Sequence, residues 1–251
     1  ISDYLDFIAR PEDLPAFLQA VCSWLSSAGA PPWQVLDLYN ILETSPTIDR
    51  LKEHSSQCSW GFSIERLQPS PYIPLPGDWE SYLNGIDKKQ RHEIRRKLRR
   101  AEAEEGPVSW YMINGLEDPG ALDGEIEAFF DLMSQDEEKK AFLTPAMRIQ
   151  MRSIVHTAAR AGWLQLAFLT AGDQKIAAYL NFDYGNHIWV YNSGLDFSYR
   201  ELSPGWVLLA YLLRWANENG RAALDFMRGN ETYKYRFGGV DRFVVRARIE
   251  R

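Results

Sequence analysis

"SYRELSPGW", Ser198 to Trp206, is the stretch on which the fold turns. Before it, "HIWVYNSG" from His187 alternates like a strand. After it, "PGWVLLAYLLRWANENG" repeats like a helix, with Val207, Leu208, Tyr211, Leu212 and Trp215 on one face and Gly220 as its stop. A strand that passes into a helix through Ser-Pro-Gly offers an anion free backbone N–H groups and the positive end of the helix dipole. Ser203 suits the N-cap, Pro204 the first helical position, and Gly205 lets a phosphate approach the backbone. The same three residues also begin many ordinary capped helices, so spacing alone leaves both readings open.

The pattern continues outward in both directions. Upstream, "WLQLAFLT" turns at Ala171-Gly172-Asp173 into "KIAAYLNFDY", which turns at Gly185-Asn186 into the strand from His187. Ahead of this meander come the strand "VSWYMI" and two helices. One helix carries Ile126, Phe129, Phe130 and Met133; the other runs from Thr144-Pro145 to Gly162. Downstream, "ALDFMRGNETYKYRFGG" (Ala223–Gly239) opens as a strand and passes into a short helical turn, and "RFVVRARIE" reads as a last strand. This half therefore reads β-α-α-β-β-β-α-β-α-β.

Residues 1–76 read as a smaller β-α-β-α-β unit, with strands at "YLDFIA", "WQVLDLYNI" and "WGFSIERL". The Pro-rich "QPSPYIPLPGD" is the clearest linker. It leads into one helix on which Leu83, Ile86, Ile94, Leu98 and Ala101 share a face, while eight Lys/Arg lie between Lys88 and Arg100. Such a basic helix invites nucleic acid or a membrane surface. It is also what a solvated helix looks like when Glu93, Glu102, Glu104 and Glu105 pair with its bases. The organisation expected is thus a first unit over 1–76, a linker and basic helix over 77–106, and a second unit over 107–251.

Composition narrows the function classes. The formal charge is −6, yet residues 196–251 carry ten bases against seven acids, which suits an anionic small ligand better than a long nucleic acid. No stretch approaches the ~20 apolar residues of a membrane span. Two cysteines, Cys22 and Cys58, fit a reducing cytoplasm, and the four histidines are not at ligand spacing, so no metal is expected. The chain starts at Ile1 without a secretory leader, which reads as a fragment or processed form of a longer cytoplasmic protein.

A meander followed by a phosphate-type loop, a helix, a strand and another helix resembles the GNAT acyltransferase fold. That family holds coenzyme A in a loop of the form Gln/Arg-x-x-Gly-x-Gly/Ala. Arg200-Glu201-Leu202-Ser203-Pro204-Gly205 matches it with Ser in place of the first Gly. Over about residues 78–239, "YLNGIDKKQRHEIRRKLRR", "GWLQLAFL", "KIAAYLNFDYGNHIWVYNSGLDFSY", "SPGWVLL" and "DFMRGNETYKYRFG" resemble the CelD-like acetyltransferases associated with cellulose biosynthesis, relatives of the Fem peptidyltransferases. The resemblance implies an α/β fold with a mixed α+β sheet of GNAT type. It also implies a tandem pair in which residues 1–76 are an incomplete first unit. Acetyl-CoA or another acyl-CoA would be the co-substrate, held by Arg200, Ser203, Pro204 and Gly205.

On this resemblance Asp225 ends the strand beside the cofactor helix. Tyr233 takes the place of a tyrosine on the last short helix, near the thioester sulfur. An amine attacking a thioester needs a base for its proton and an acid for the leaving thiolate, and a tyrosine of ordinary pKa near ~10 can serve as that acid. Tyr233, Asp225 and Glu231 are the catalytic candidates; Arg228, Lys234 and Arg236 would neutralise phosphates or an anionic acceptor. Donors to the oxyanion would come from the strand near Asn192–Gly194. Each residue also has a plain reading: Asp225 pairing with Arg228, Glu231 as a helix-start acid, Tyr233 and Tyr235 as packing. His156 and His187 read as structural and exposed, respectively.

Three functions follow. The first is an acyl-CoA-dependent N-acyltransferase whose acceptor is an amino sugar or small amine. The second is a Fem-like transferase using aminoacyl-tRNA, which the basic helix favours. The third is a non-catalytic GNAT-fold binding module, since fold alone does not make an enzyme.

Overall fold

The computed structural model of the chain describes residues 3–103, 108–115 and 119–251, so Glu104 and Glu105 lie outside the described residues. The elements run α1 (Leu14–Ser26), β1 (Val35–Leu42), α2 (Pro46–Gln57), β2 (Gly61–Pro69), β3 (Tyr72–Pro74), α3 (Trp79–Gly85), α4 (Lys88–Glu102) and β4 (Val108–Ile113). They continue with α5 (Pro119–Met133), α6 (Glu137–Phe142), α7 (Pro145–Ala161), β5 (Leu164–Ala171), β6 (Gln174–Tyr184) and β7 (His187–Leu195). After a 3-10 turn at Phe197–Leu202 come α8 (Pro204–Glu218), β8 (Ala223–Asp225), α9 (Thr232–Arg236) and β9 (Phe243–Glu250).

Two compact units share these elements. One comprises Ile1–Pro71, Met227–Thr232 and Val240–Arg251; the other comprises Tyr72–Phe226 and Tyr233–Gly239. In the first, β9 is the middle strand of a three-stranded antiparallel sheet in the order β1-β9-β2. Its alternate residues Val245, Ala247 and Ile249 are buried with Leu18 and Leu51 of the helices and Ile41 of β1. The sequence reading had this strand close the C-terminal half; its period of two is met instead by the apolar face of α1 and α2. "YLDFIA" is not a ladder strand either. Leu5 N–H reaches Asn40 O at 3.0 Å where β1 bulges, with Asn40 at φ 59°. Asp6 accepts from the hydroxyls of Ser45 (2.5 Å) and Thr47 (2.7 Å), so side chains hold the segment extended.

The second unit is a six-stranded mixed sheet in the order β3-β8-β7-β6-β5-β4. Every neighbouring pair is antiparallel except β7 with β8. On one face Ala167, Leu169, Ala177 and Tyr179 pack with α3, α4 and α8; on the other Leu166, Phe168, Ala178 and Leu180 pack with α5 and α7. The place beside β8 is taken by β3.

The single basic helix expected after the linker is two helices. Ile86 is extended (φ −97°, ψ 164°), and each helix has its own aspartate cap: Asp78 accepts from Ser81 N–H, Asp87 from those of Lys89 and Gln90. A cap that satisfies two first-turn donors is worth about 1 kcal/mol. Asp87→Ala is accordingly expected to lower the melting temperature by about 2–4 °C in a thermal scan. Most of the bases of α4 have partners nearby. Arg95 pairs with Glu80 at 2.5 Å and Arg96 with Glu93 at 2.8 Å. Arg100 stands 3.7 Å from Glu201, and Arg91 donates to Asn84 Oδ1 at 3.0 Å.

Candidate active site

The parallel pairing of β7 with β8 lasts three residues, ending at Trp189 opposite Asp225. β7 runs on to Leu195 while β8 stops, so the sheet parts between them at Asp225. Asp225 is fully buried. Beyond that point β7 bulges against β6, the register shifting between Leu180 and Asn181. Tyr191 is the extra residue of this bulge; Asn192 borders it opposite Leu180, and its Oδ1 accepts from Ser193 N–H at 2.8 Å. Ser193 O accepts from Lys139 Nζ at 2.6 Å. The expected oxyanion donors on this strand therefore include one N–H already engaged by a side chain. Gly194 is there because nothing larger fits: a Cβ would come within 2.5 Å of Met133 N and 2.6 Å of Leu132 C.

The strand leads through the 3-10 turn into α8. Ser203 stands at the N-cap position but in the left-handed region (φ 53°, ψ 52°), and its side chain makes no capping bond. Left-handed backbone favours glycine, so Ser203 holds a conformation that a residue with a side chain rarely adopts. The N–H groups of Trp206 and Val207 both close on Ser203 O. Ser203 Oγ instead accepts from Lys97 Nζ of α4 at 2.6 Å, and that ammonium lies over the Trp206 ring, 4.8 Å from its centroid. A Cβ on Gly205 would stand 3.0 Å from Leu195 Cδ2, the flexible end of a side chain that can give by a few tenths of an ångström. No acid occupies that turn. Arg200 is exposed beside it.

Below this turn Tyr179 of β6 donates its hydroxyl to Gly205 O at 3.4 Å. Burial, and after it the neighbouring Tyr233, hold its pKa well above the ordinary phenol value. Tyr233 of α9 is half-buried and packs edge-on against Phe226 (5.7 Å). Lys234 is buried, its Nζ donating to Phe226 O at 3.2 Å. Phe237 packs on Trp206 at 4.7 Å, and its carbonyl accepts from the buried Tyr82 hydroxyl at 2.8 Å. Arg236 is exposed. The structure thus brings Tyr233, Ser203 and Gly205 into one run of contacts. Arg228 and Glu231 belong to the other unit, where Arg228 pairs with Asp3 at 2.5 Å and Glu231 lies against Gly229.

Sequence reasoning passed over Tyr179 and Lys97. Lys97 had a signal: it sits between Ile94, Leu98 and Ala101 on the apolar stripe of α4, where a solvated lysine does not belong. Among the described residues no group of three His, Cys, Asp or Glu could hold a metal ion, and no helix is long and apolar enough to cross a membrane.

Comparison with known proteins adds a family and a fold. The family model described as acetyltransferase (GNAT) domain matches residues 88–235. FemX superposes with a TM-score of 0.65 at 11% identity, over 96% of this chain and 78% of its own. The C-terminal domain (DUF2156) of an Agrobacterium fabrum protein assigned as a lysylphosphatidylglycerol synthetase gives 0.62 at 13% identity, over 95% of this chain and 74% of that one. L-PGS from Bacillus licheniformis gives 0.54 at 13% identity, over 95% and 91%. At such identities the likeness is one of fold. No curated protein matches by sequence.

Proposed function

The chain belongs to the acetyltransferase (GNAT) domain family, and from that premise we propose that it transfers an acyl group from an acyl-CoA to an acceptor amine. The observation that carries this reading is the parting of β7 from β8 at Asp225, with α8 opening after β7 and the 3-10 turn that follows it. A thioester lying in that gap would have its phosphates at the start of α8. The CelD-like motifs around "SPGWVLL" and "DFMRGNETYKYRFG" support an amino sugar or polysaccharide precursor as acceptor.

An acyl-CoA supplies the activated carbonyl; the protein's part is to hold, orient and move protons. Arg200, Ser203, Pro204 and Gly205 would bind the phosphates through charge, backbone N–H groups and close approach. Asn192 would position the acyl end of the donor along β7. As the N–C bond forms and the C–S bond breaks, the Tyr233 hydroxyl would give its proton to the sulfur, and Asp225 would take part in removing the proton of the amine. Arg236 would meet an anionic acceptor. Lys234, held on Phe226 O, would act by fixing α9.

Calorimetric titration with acetyl-CoA tests the reading. Saturable binding is expected in the wild type and its loss in Gly205→Asp. A carboxylate at a helix start favours the helix but repels a phosphate, so this variant separates folding from binding. Absence of binding to acetyl-CoA or longer acyl-CoAs would overturn the proposal. A second reading, an aminoacyl-tRNA donor, is favoured by Lys88, Lys89 and Arg99, which lie exposed along α4. Salt-sensitive binding of aminoacyl-tRNA in the same cell, with none of acyl-CoA, would select it.

A further inference from the structure

Cys22 stands one turn before the end of α1 and Cys58 directly after α2, and the acyl transfer proposed above uses neither. Leu14, Leu18, Cys22 and Ser26 follow at intervals of four, which puts them on one face of α1. On α2, Leu51, Ser55 and Cys58 do the same at intervals of four and three. Cys22 is buried in the cluster that holds Leu51, so these two faces meet. Ser26 closes the join: its hydroxyl donates to Cys22 O at 3.0 Å and stands 3.8 Å from Cys58 Sγ. With that proton on Cys22 O, the Cys58 S–H is the donor to Ser26 Oγ. Burial raises the pKa of the Cys22 thiol and Cys58 raises it further, an effect that needs the two sulfurs close in space.

Cys58 is exposed but not loose. Its N–H donates to His54 O at 3.0 Å. Ser59, left-handed at φ 57°, turns the chain so that Trp60 N–H returns to Ser55 O at 2.8 Å. Trp60 packs edge-on against Trp33 (5.0 Å), whose Nε1–H donates to Leu25 O at 3.0 Å. The end of α2 is thereby tied to the end of α1. A thiol open to solvent is held beside one that is only 4% exposed.

We propose that Cys58 and Cys22 form a redox modification site, at which a small disulfide oxidant such as glutathione disulfide converts the pair into a disulfide joining α1 to α2. The Cys58 thiolate attacks one sulfur of the oxidant, forming a mixed disulfide and releasing the other half as a thiolate. The Cys22 thiolate then attacks the Cys58 sulfur, and the new S–S bond forms as the bond to the second half breaks. The two thiols of the chain give up two protons and two electrons, and one oxidant disulfide becomes two thiols. Exposure gives Cys58 the first step, and burial keeps Cys22 from forming an adduct of its own. Both thiols belong to the unit that does not carry α8, so failure of the acyl-CoA reading leaves this site untouched.

The test equilibrates the full chain, its thiols first reduced, with glutathione buffers of rising disulfide content and reads intact mass after acid quenching. The expected product is a chain lighter by two hydrogens, with glutathione adducts staying minor. Cys22→Ala should instead accumulate the Cys58–glutathione adduct, and Cys58→Ser should show neither change while folded. The oxidised chain should melt about 5–10 °C above the reduced one, the gain expected when a crosslink closes the loop from Cys22 to Cys58. A wild-type chain that takes up glutathione at Cys58 and goes no further would overturn the proposal. So would a doubled mass, which marks a disulfide between two chains. No reaction of the folded chain, with both thiols reacting once urea unfolds it, would overturn it equally. An oxidised chain that melts lower than the reduced one would show a bond made only by distorting the helices, and would overturn it as well.

Discussion

Tyr233→Phe is expected to lower kcat by about 10²- to 10⁴-fold, the range for removal of a general acid, with donor affinity unchanged. Thiol release from acetyl-CoA in the presence of a panel of primary amines would measure it. The hydroxyl lost is the one that neighbours Tyr179, and the ring that remains still packs on Phe226. Tyr179→Phe is the informative comparison. Its hydroxyl is bonded to Gly205 O, so its loss should show in donor affinity, with kcat little altered. An unchanged kcat in Tyr233→Phe would remove that residue from the chemistry and point to a water or an acceptor group as the proton source.

The largest effect on stability is expected at Gly194→Ala. The added methyl would meet Met133 N at 2.5 Å, Leu132 C at 2.6 Å and Leu132 Cβ at 2.7 Å. Two of these atoms are backbone in the last turn of α5, which cannot turn aside as a side-chain tip can. Overpacking of a rigid contact costs about 3 kcal/mol or more, which for a chain of this size lowers the melting temperature by roughly 6–12 °C. Gly205→Ala is the control: its nearest neighbour is the flexible end of Leu195 at 3.0 Å. A melting temperature within a degree of wild type in Gly194→Ala would mean that α5 and β7 can separate without loss.

Elements whose signals are local could be read from the sequence. Helix α7 begins at Pro145 behind the Thr144 cap, whose Oγ1 accepts from Met147 N–H, and stops at Gly162 in the left-handed region. The meander strands were bounded by Gly172 and by Gly185-Asn186, all at positive φ. Helix α8 ran as read from Pro204 towards Gly220. Where the reading failed, the deciding partner was distant in sequence or too short-range to show as periodicity. The place of β9 depends on pairing Val245 with Ile41 and Arg66, some two hundred residues away. The break at Ile86 depends on a second capping aspartate, which apolar spacing alone passes over. At the candidate site, the helix start at Ser203–Gly205 was legible from its Ser-Pro-Gly loop. The contact between Lys97 and Ser203, 106 positions apart, was not, because a dense run of bases hides the one that turns inward.

The position of β9 has a consequence for synthesis. β1 and β2 each pair with β9 and not with each other. On the ribosome both emerge long before the strand that joins them, and the six strands of the other unit are made in between. The middle of the N-terminal sheet is thus filled last. Until then the nascent chain presents two unsatisfied strand edges, the kind of surface that chaperones shield and that aggregates when they do not.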